Sequence, residues 1–493
     1  MGLLRRVATV SGWTFVSRML GLLRDRVLGA TFGASLLLDA FMLAFALPNL
    51  LRNLFGEGAL AAAYVPRYVH ARGEDVSAAE AFAGLVLTRL GLLLSLIAVI
   101  GMAVACGMVV WGGPRWVLVA ALVIPQVPYL VFICLAAVMA GTLHGRQHFW
   151  IPAAAPIVLN VCLLLAVWWW ADIWMLPFAV LVAGLVQMAV HVLGLACSGG
   201  VPPLLLRSSA RLRDLRQAWL PTMAAASVHQ VNALLDSLIA FVLLAHRPGA
   251  VTVLYFANRL LQFPMALVAH GVSTAIYPDL SRAAKEGWPQ AGIVLRRGTR
   301  VLAAALFPAA AGLWVVADPL VRTVFQTGAF AAEDAQRTIL LTQFYALALL
   351  PLSFHKLLIR ALHAGLDQRT PLRIALISVS VNLVLNIILV QTPLYEAGLA
   401  LATVISGTLA CALAAIVLLR RGSGAILDYT AVLRPAIATL GMATAAYLVL
   451  AWYDVPSDAG TAQHALRLIM GVGTGVAAYA AIMGRAGAAA LGR

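Results

Sequence analysis

The sequence predicts an all-α integral membrane protein: about 14 transmembrane helices, forming two parallel six-helix lobes around a central cavity, with two additional C-terminal helices. Three observations carry this. The 493 residues are 62% apolar and only 11% charged, with a mean hydropathy of +0.94, far from the soluble balance of about 25% charged residues. The apolar runs are long enough to cross a hydrocarbon core and are separated by short links. Short motifs also recur about 210 to 220 positions apart.

The first segment, residues 1–33, opens like a signal peptide, with Arg5 and Arg6 ahead of an apolar stretch. Arg18, Arg24, Asp25 and Arg26 interrupt it and no small-residue cleavage site follows, so it reads as a retained helix. Apolar runs near 36–66, 80–111, 117–142, 149–171 and 173–196 complete a first set of six. Beyond the polar link from Arg207 to Arg216 come runs near 217–245, 250–277, 299–321, 338–362, 371–392 and 396–419, then two more near 433–452 and 464–484. The organisation expected is a lobe over 1–210, a second over 211–425 and an added helix pair over 426–493. The five cysteines lie singly with no CxxC pair, which argues against a disulfide framework or a zinc site.

A formal charge of +15 would suggest nucleic acid in a soluble protein, but in a membrane the basic residues set orientation. Arg67 and Arg72, Arg146, the arginines from Arg207 to Arg216, the basic residues from Arg282 to Arg300, Arg369, Arg420 and Arg421 alternate onto one side. By the positive-inside rule that side is cytoplasmic, and with an even number of spans both termini face it. Arg115, Arg247, Arg322 and Arg337 fall on the other side, partly balanced by Glu333 and Asp334. Only Lys285 and Lys356 are lysine; every other basic residue but histidine is arginine.

Two echoes mark an internal repeat. Leu143-His144-Gly145-Arg146-Gln147 with Pro152 matches Leu362-His363 with Gln368 and Pro371, with equal His-to-Pro spacing. Ala63-Tyr64-Val65-Pro66-Arg67 likewise matches Ala275-Ile276-Tyr277-Pro278-Asp279. An even number of spans per copy makes the repeat parallel, an architecture in which transporters bind between the halves.

Arg18, Arg24, Asp25 and Arg26 fall in the first span, Asp39 and Arg52 in the second, and Arg259 in the eighth. An arginine at a helix centre costs about 2.5 to 3.5 kcal/mol to insert, so these residues must face partners or a water-filled cavity. Arg24 and Asp25, as sequence neighbours, are expected to find their partners on other helices. A cavity lined by arginines selects an anion, and the guanidinium fork suits phosphate or pyrophosphate. The chain has no GxxxxGK[ST], HExxH or GxSxG motif and no paired carboxylates in its spans, so translocation is favoured over ATP-driven or hydrolytic chemistry. No nucleic-acid partner is expected.

Ser17-Arg18 with Gly21, Arg24-Asp25, Asp39-Ala40-Phe41, Pro48-Asn49-Leu50-Leu51-Arg52, Phe55-Gly56-Glu57-Gly58-Ala59 and Tyr64-Val65-Pro66 together resemble the MurJ (MviN) family of bacterial lipid II flippases. Tyr255-Phe256-Ala257-Asn258-Arg259-Leu260 with Phe263-Pro264 extends the likeness, which covers essentially the whole chain and reaches the multidrug/oligosaccharidyl-lipid/polysaccharide exporter superfamily. The resemblance implies alternating access that moves lipid II from the inner to the outer leaflet of the cytoplasmic membrane. Lipid II and membrane lipids would be the partners, and peptidoglycan synthases are candidate consumers. It assigns Arg18, Arg24, Arg52 and Arg259 to pyrophosphate binding, Asp25, Asp39 and Glu57 to gating or pairing, and the final two helices to a groove for the prenyl tail. Asn258 stands where many relatives carry an acid, so Arg259 needs a partner off its own helix.

No cofactor is expected beyond coupling to sodium or to the membrane potential. Asp236 is the only acid of the seventh span, Asn382 and Asn386 are one turn apart on the eleventh, and Thr403 lies in the twelfth. One carboxylate with neutral oxygens suits a hard monovalent cation, and interhelical hydrogen bonding is the competing use of the same groups. The nearest functional rival is a flippase for another polyprenyl-pyrophosphate-linked oligosaccharide. A drug/cation antiporter would want carboxylates in place of these arginines, and a prenyl-pyrophosphate enzyme would show a catalytic acid or metal cluster in a polar loop.

Overall fold

The computed structural model describes residues 3–55, 59–206, 210–427 and 429–491, and nearly all of them are helical. In chain order the helices are α1 (Leu3–Phe32), α2 (Leu36–Phe55), α3 (Ala59–Glu74), α4 (Val76–Trp111), α5 (Pro114–Gly145), α6 (Trp150–Trp170), α7 (Met175–Cys197), α8 (Ala210–Leu243), α9 (Ala250–Glu286), α10 (Trp288–Val315), α11 (Ala317–Val324), α12 (Ala332–Ala364), α13 (Arg369–Leu389), α14 (Glu396–Arg420), α15 (Tyr429–Trp452) and α16 (Thr461–Leu491). Pro125 tightens α5 into a 3₁₀ turn at Ile124–Gln126, and a π-helical turn at Met265–Ala269 follows Pro264 in α9. The chain forms two compact units, Met1–Leu238 and Ile239–Arg493, and the division falls inside α8.

Among the described residues, 12 helical segments are long and apolar enough to span a membrane. This is a multi-pass membrane protein, with two fewer such segments than the 14 expected. The two expected spans outside these twelve are those of α1 and α8. At 30 and 34 residues they rise roughly 45 and 50 Å. In α1 the apolar stretch is broken by Arg18, Arg24, Asp25 and Arg26, whereas the charges of α8 lie at its start, Arg211, Arg213, Asp214 and Arg216, with a shorter apolar segment over Gln230–Leu243 among the described residues. In the run expected over 36–66, the described residues are helical in α2 up to Phe55 and in α3 from Ala59.

The internal repeat is visible as matched backbone. At the end of α5 the N–H groups of Arg146, Gln147 and His148 donate to the carbonyls of Thr142, His144 and Leu143 at 2.8–3.0 Å. At the end of α12 the N–H groups of Gly365, Leu366 and Asp367 donate to Ala361, His363 and Leu362 at 3.0–3.1 Å. Each of these groups lies 219 positions after its counterpart. Both turns place a non-glycine residue in the left-handed region, Gln147 at φ 66° and Leu366 at φ 58°.

A second match lies beside these turns. In unit 1 the segment 201–206 crosses α4 so closely that a Cβ on Gly84 would sit 1.7 Å from the Pro203 carbonyl oxygen. Leu205 N–H donates to Thr88 Oγ1 at 3.1 Å and Arg89 donates to the Leu206 carbonyl, fixing the crossing. In unit 2 the chain after α14 crosses α10 at Gly292, where a Cβ would meet the Ser423 carbonyl oxygen at the same 1.7 Å. There Arg296 and Thr299 donate to the carbonyls of Ala425 (3.1 Å) and Ile426 (2.8 Å). Only glycine permits either approach.

Candidate substrate-binding site

In α1 the Arg24 and Asp25 side chains are 6% and 0% exposed at the residue level. They pair with one another: Arg24 Nε and Nη2 both donate to Asp25 Oδ1, at 3.0 and 2.6 Å. This corrects the expectation that sequence neighbours could not satisfy each other. Adjacent Cβ atoms diverge by about 100° around a helix, but the three-methylene stem of arginine is long enough to bring the fork back onto the next residue. The result is a buried, net-neutral pair in the last third of a 30-residue helix. Arg18, nearly two turns earlier, is exposed, and Arg26 is half-buried. Asn160 of α6 donates to the Ser17 carbonyl at 3.1 Å, holding the neighbouring stretch of α1 against that helix.

In α2, Asp39 is buried in the first turn, where a carboxylate interacts favourably with the helix N-terminus. Arg52 is half-buried in the last turn, the complementary position for a cation. Pro48 lies between them. Next to Arg52, Asn53 donates to Gln230 of α8 at 3.1 Å, and Phe55 packs on Trp219 with ring centroids 5.7 Å apart. Glu57, expected to act in gating, lies outside the described residues.

Arg259 is half-buried in α9 of unit 2. Gln262, one turn on, donates to Asn258 Oδ1 at 3.1 Å, so the Asn258 amide is engaged with its own helix.

Of the residues expected to hold a cation, Asn382 and Asn386 are both buried in α13 and hydrogen-bonded to each other, Nδ2 of Asn386 to Oδ1 of Asn382 at 3.0 Å. Asn382 also donates to Ser406 Oγ at 3.2 Å, and Ser378 donates to the Ser406 carbonyl at 3.0 Å, which joins α13 to α14 through a neutral polar seam. Thr403 donates to the Leu399 carbonyl of its own helix at 3.1 Å. Asp236 is half-buried in α8, on the unit 1 side of the division.

Several polar clusters escaped the sequence reading. Arg146 donates to Tyr68 (3.2 Å), to Glu80 and to the Leu195 and Gly200 carbonyls (3.1 and 2.9 Å), tying α3, α4, α5 and the end of α7 together. Burial disfavours its charge, yet the bonds to Tyr68 and Glu80 outweigh that and raise its pKa above the usual guanidinium value. Its counterpart in unit 2 has the charges exchanged: Asp367 in the turn receives Arg421 from the end of α14. Burial raises the Asp367 pKa, but its bonds to Thr370 and Arg421 prevail and lower it to about 2. At the other end of unit 2, Arg337 donates through Nε to the buried Glu396 at 2.6 Å, beside a cavity of about 510 Å³ that Arg247, Glu333 and Tyr395 also line. On α11, Asp318 receives Arg322 and Arg467, both at 2.6 Å, which with the Tyr479 bond to the Ala304 carbonyl (2.6 Å) docks α16 onto unit 2. The signal for these clusters was available only as unpaired acids and bases scattered through the chain, because their partners lie tens of residues away in sequence.

The family profile described as "Lipid II flippase MurJ" matches residues 28–459. A "Probable lipid II flippase MurJ" of Rhizobium meliloti is 31% identical over an alignment covering 100% of this chain and 95% of that protein. The "Lipid II flippase MurJ" of Burkholderia cenocepacia is 32% identical over 76% of each. Among solved structures, one titled "Lipid II flippase MurJ, inward closed conformation" superposes with a TM-score of 0.79 at 22% identity, covering 96% of this chain and 98% of that one. An inward-facing multidrug resistance MATE family transporter of the MOP superfamily matches with a TM-score of 0.69 at 15% identity, covering 82% and 94%. At these identities the structural likenesses establish the fold.

Proposed function

The chain belongs to the lipid II flippase MurJ family, and from that premise we propose that it carries lipid II from the cytoplasmic to the outer leaflet by alternating access. The basic loops orient it with both termini in the cytoplasm. It is a transporter by family, and the work asked of it is to recognise an anionic headgroup, shield it from hydrocarbon and release it.

The observation that most supports this reading is the buried Arg24–Asp25 pair. A guanidinium inside a membrane helix is tolerable when a carboxylate neutralises it, and both N–H bonds fall on one oxygen of that carboxylate. An arriving pyrophosphate presents several acceptor oxygens and a larger negative charge, so it competes with Asp25 for the same fork. Asp25 thus holds Arg24 in place when substrate is absent. Arg18, Arg52 and Arg259 supply further positive charge for the same ligand, and Asp39 and Glu57 are assigned to pairing and gating. Differential affinity of these arginines for the headgroup in the two access states is what would shift the equilibrium between them.

The exposed apolar faces of α15 and α16, with Leu440, Leu448 and Trp452 on one and Ile469 and Val476 on the other, suit contact with lipid tails, including the prenyl chain. Sodium coupling through Asp236, Asn382, Asn386 and Thr403 is part of the proposal and rests on donor chemistry: one carboxylate plus neutral oxygens matches a monovalent cation. The membrane potential would add about 2.3 kcal/mol per charge per 100 mV. Sodium-dependent thermal stabilisation that disappears in Asp236→Asn supports sodium; identical melting in sodium and potassium refutes it. The transport reading itself is tested by depletion and rescue. Variants Arg24→Ala, Arg52→Ala and Arg259→Ala that reach the membrane are expected to leave lipid II on the inner leaflet, and normal flipping by all three contradicts it.

A further inference from the structure

We propose that Lys356 and Arg360 of α12, with His270 of α9, form a second anion-binding station in unit 2, separate from Arg259, that takes the pyrophosphate of the same substrate. It rests on the lipid II reading above and adds a residue set that reading does not contain. Lys356 is one of two lysines in the chain, and it lies within a membrane-spanning helix. Its Nζ is 2.7 Å from His270 Nε2. Arg360, one turn further along the same helix, holds its guanidinium carbon over the Tyr277 ring, 5.4 Å from the centroid. Both cations therefore lean onto α9 and make one cluster.

A lysine eight residues from the end of α12 could instead extend along its own helix to the interface, the usual behaviour of such residues. Here the ammonium is turned sideways to an imidazole on the neighbouring helix. Among the described residues neither Lys356 nor Arg360 has a carboxylate partner, in contrast to Arg24, Arg146, Arg337 and Arg421. The contact with an acceptor nitrogen of His270 uses one of three ammonium donors. Arg360 makes no hydrogen bond among the described residues besides this ring contact, so its N–H donors are available. Two uncompensated positive charges one turn apart, each with donors to spare, are suited to phosphate oxygens. The π-helical turn at Met265–Ala269, immediately before His270, resets the helical face on which that imidazole is presented, and such turns concentrate at functional sites.

Along α9, His270 is eleven residues beyond Arg259, a rise of roughly 16 Å toward the end that carries the basic loop. One pyrophosphate cannot touch both places at once, so the stations are used in sequence, with Lys356 and Arg360 nearer the cytoplasmic face. Lysine suits a transfer point: it is a compact, strongly hydrated charge that holds phosphate without the bidentate grip of arginine.

The test is equilibrium binding of undecaprenyl pyrophosphate, which lacks sugar and peptide, to the purified full chain in nanodiscs with and without excess phosphatidylglycerol. Lys356→Gln and Arg360→Gln are each expected to weaken binding roughly tenfold, and Lys356→Arg to retain it within about threefold. Melting temperature confirms that each variant is folded, and Arg360→Gln decides the matter if Lys356→Gln is not. Wild-type binding by both glutamine variants, with Arg259→Gln weakened, overturns the second station and leaves the flippase reading standing. Equal displacement by phosphatidylglycerol overturns it as well, since the cluster is then a general lipid-headgroup contact. Failure of the wild-type chain to bind the pyrophosphate at all removes the substrate reading and the station with it.

Discussion

Unit 1 and unit 2 repeat one backbone plan and differ in the polar groups set into it. The turns after α5 and α12 share their hydrogen bonds residue for residue, and in both units an extended segment crosses a glycine at the same separation. Yet unit 1 carries a buried ion pair in α1 and a buried aspartate in α2, whereas the buried polar seam of unit 2 is neutral, built from Asn382, Asn386 and Ser406. Even the locks beside the turns exchange signs, arginine from the turn in one and aspartate from the turn in the other. The backbone repeat thus fixes where helices begin, end and cross, and the buried polar groups set into it differ between the units: an ion pair and an aspartate in α1 and α2, an amide and hydroxyl seam between α13 and α14.

The largest effect expected from breaking this contrast is at Arg24. Arg24→Ala removes the guanidinium that donates two hydrogen bonds to the fully buried Asp25 carboxylate, and breaking a buried pair costs about 3 to 5 kcal/mol. The double variant Arg24→Ala with Asp25→Asn is expected to recover the melting temperature and not transport. Recovery of both would make the pair purely structural.

Next are the glycine crossings. Gly84→Ala and Gly292→Ala each drive a methyl group into a carbonyl oxygen, so each should lower stability by about 1 to 3 kcal/mol, and by similar amounts. Thermal unfolding of the two variants side by side measures how closely the repeat is matched; a large loss in one with none in the other would show that only one crossing is needed.

Asn382→Ala should cost about 1 kcal/mol, the scale of an interhelical hydrogen bond in a membrane. If sodium binds there, the variant also loses any sodium-dependent shift. A stability loss with the shift intact assigns the asparagines to packing alone.

The smallest effect is at the Asp367–Arg421 lock, partly exposed and worth about 1 kcal/mol. Because the folded-state pKa of Asp367 is lowered from 3.8 to about 2, its contribution is fully present above pH 3.8 and is lost as pH falls through about 2. The melting difference between wild type and Asp367→Asn should therefore be constant from pH 7 to pH 4 and vanish near pH 2. A difference that fades between pH 6 and pH 5 would contradict the assignment.

Most of the architecture was legible because long apolar runs, alternating basic loops and the His-to-Pro echo depend on local sequence. Helix α1 falls short as an apolar span because of the polar residues that give it its interest. The candidate arginines were legible as charges where none should be. Their pairing was not: Arg24 folds back on Asp25 through stem length, a property of one rotamer that no spacing rule contains. The Lys356–His270 and Arg337–Glu396 contacts join residues 86 and 59 positions apart, so only the packed helices reveal them.

The central claim is that the buried arginine of α1 serves the substrate and not only the fold. The most direct measurement is the outer-leaflet fraction of lipid II in cells depleted of their own flippase and expressing the Arg24→Ala, Asp25→Asn chain, read with a membrane-impermeant enzyme that cleaves exposed lipid II. The account predicts a folded, membrane-inserted protein with lipid II left inaccessible. Accessible lipid II at the wild-type level would contradict it.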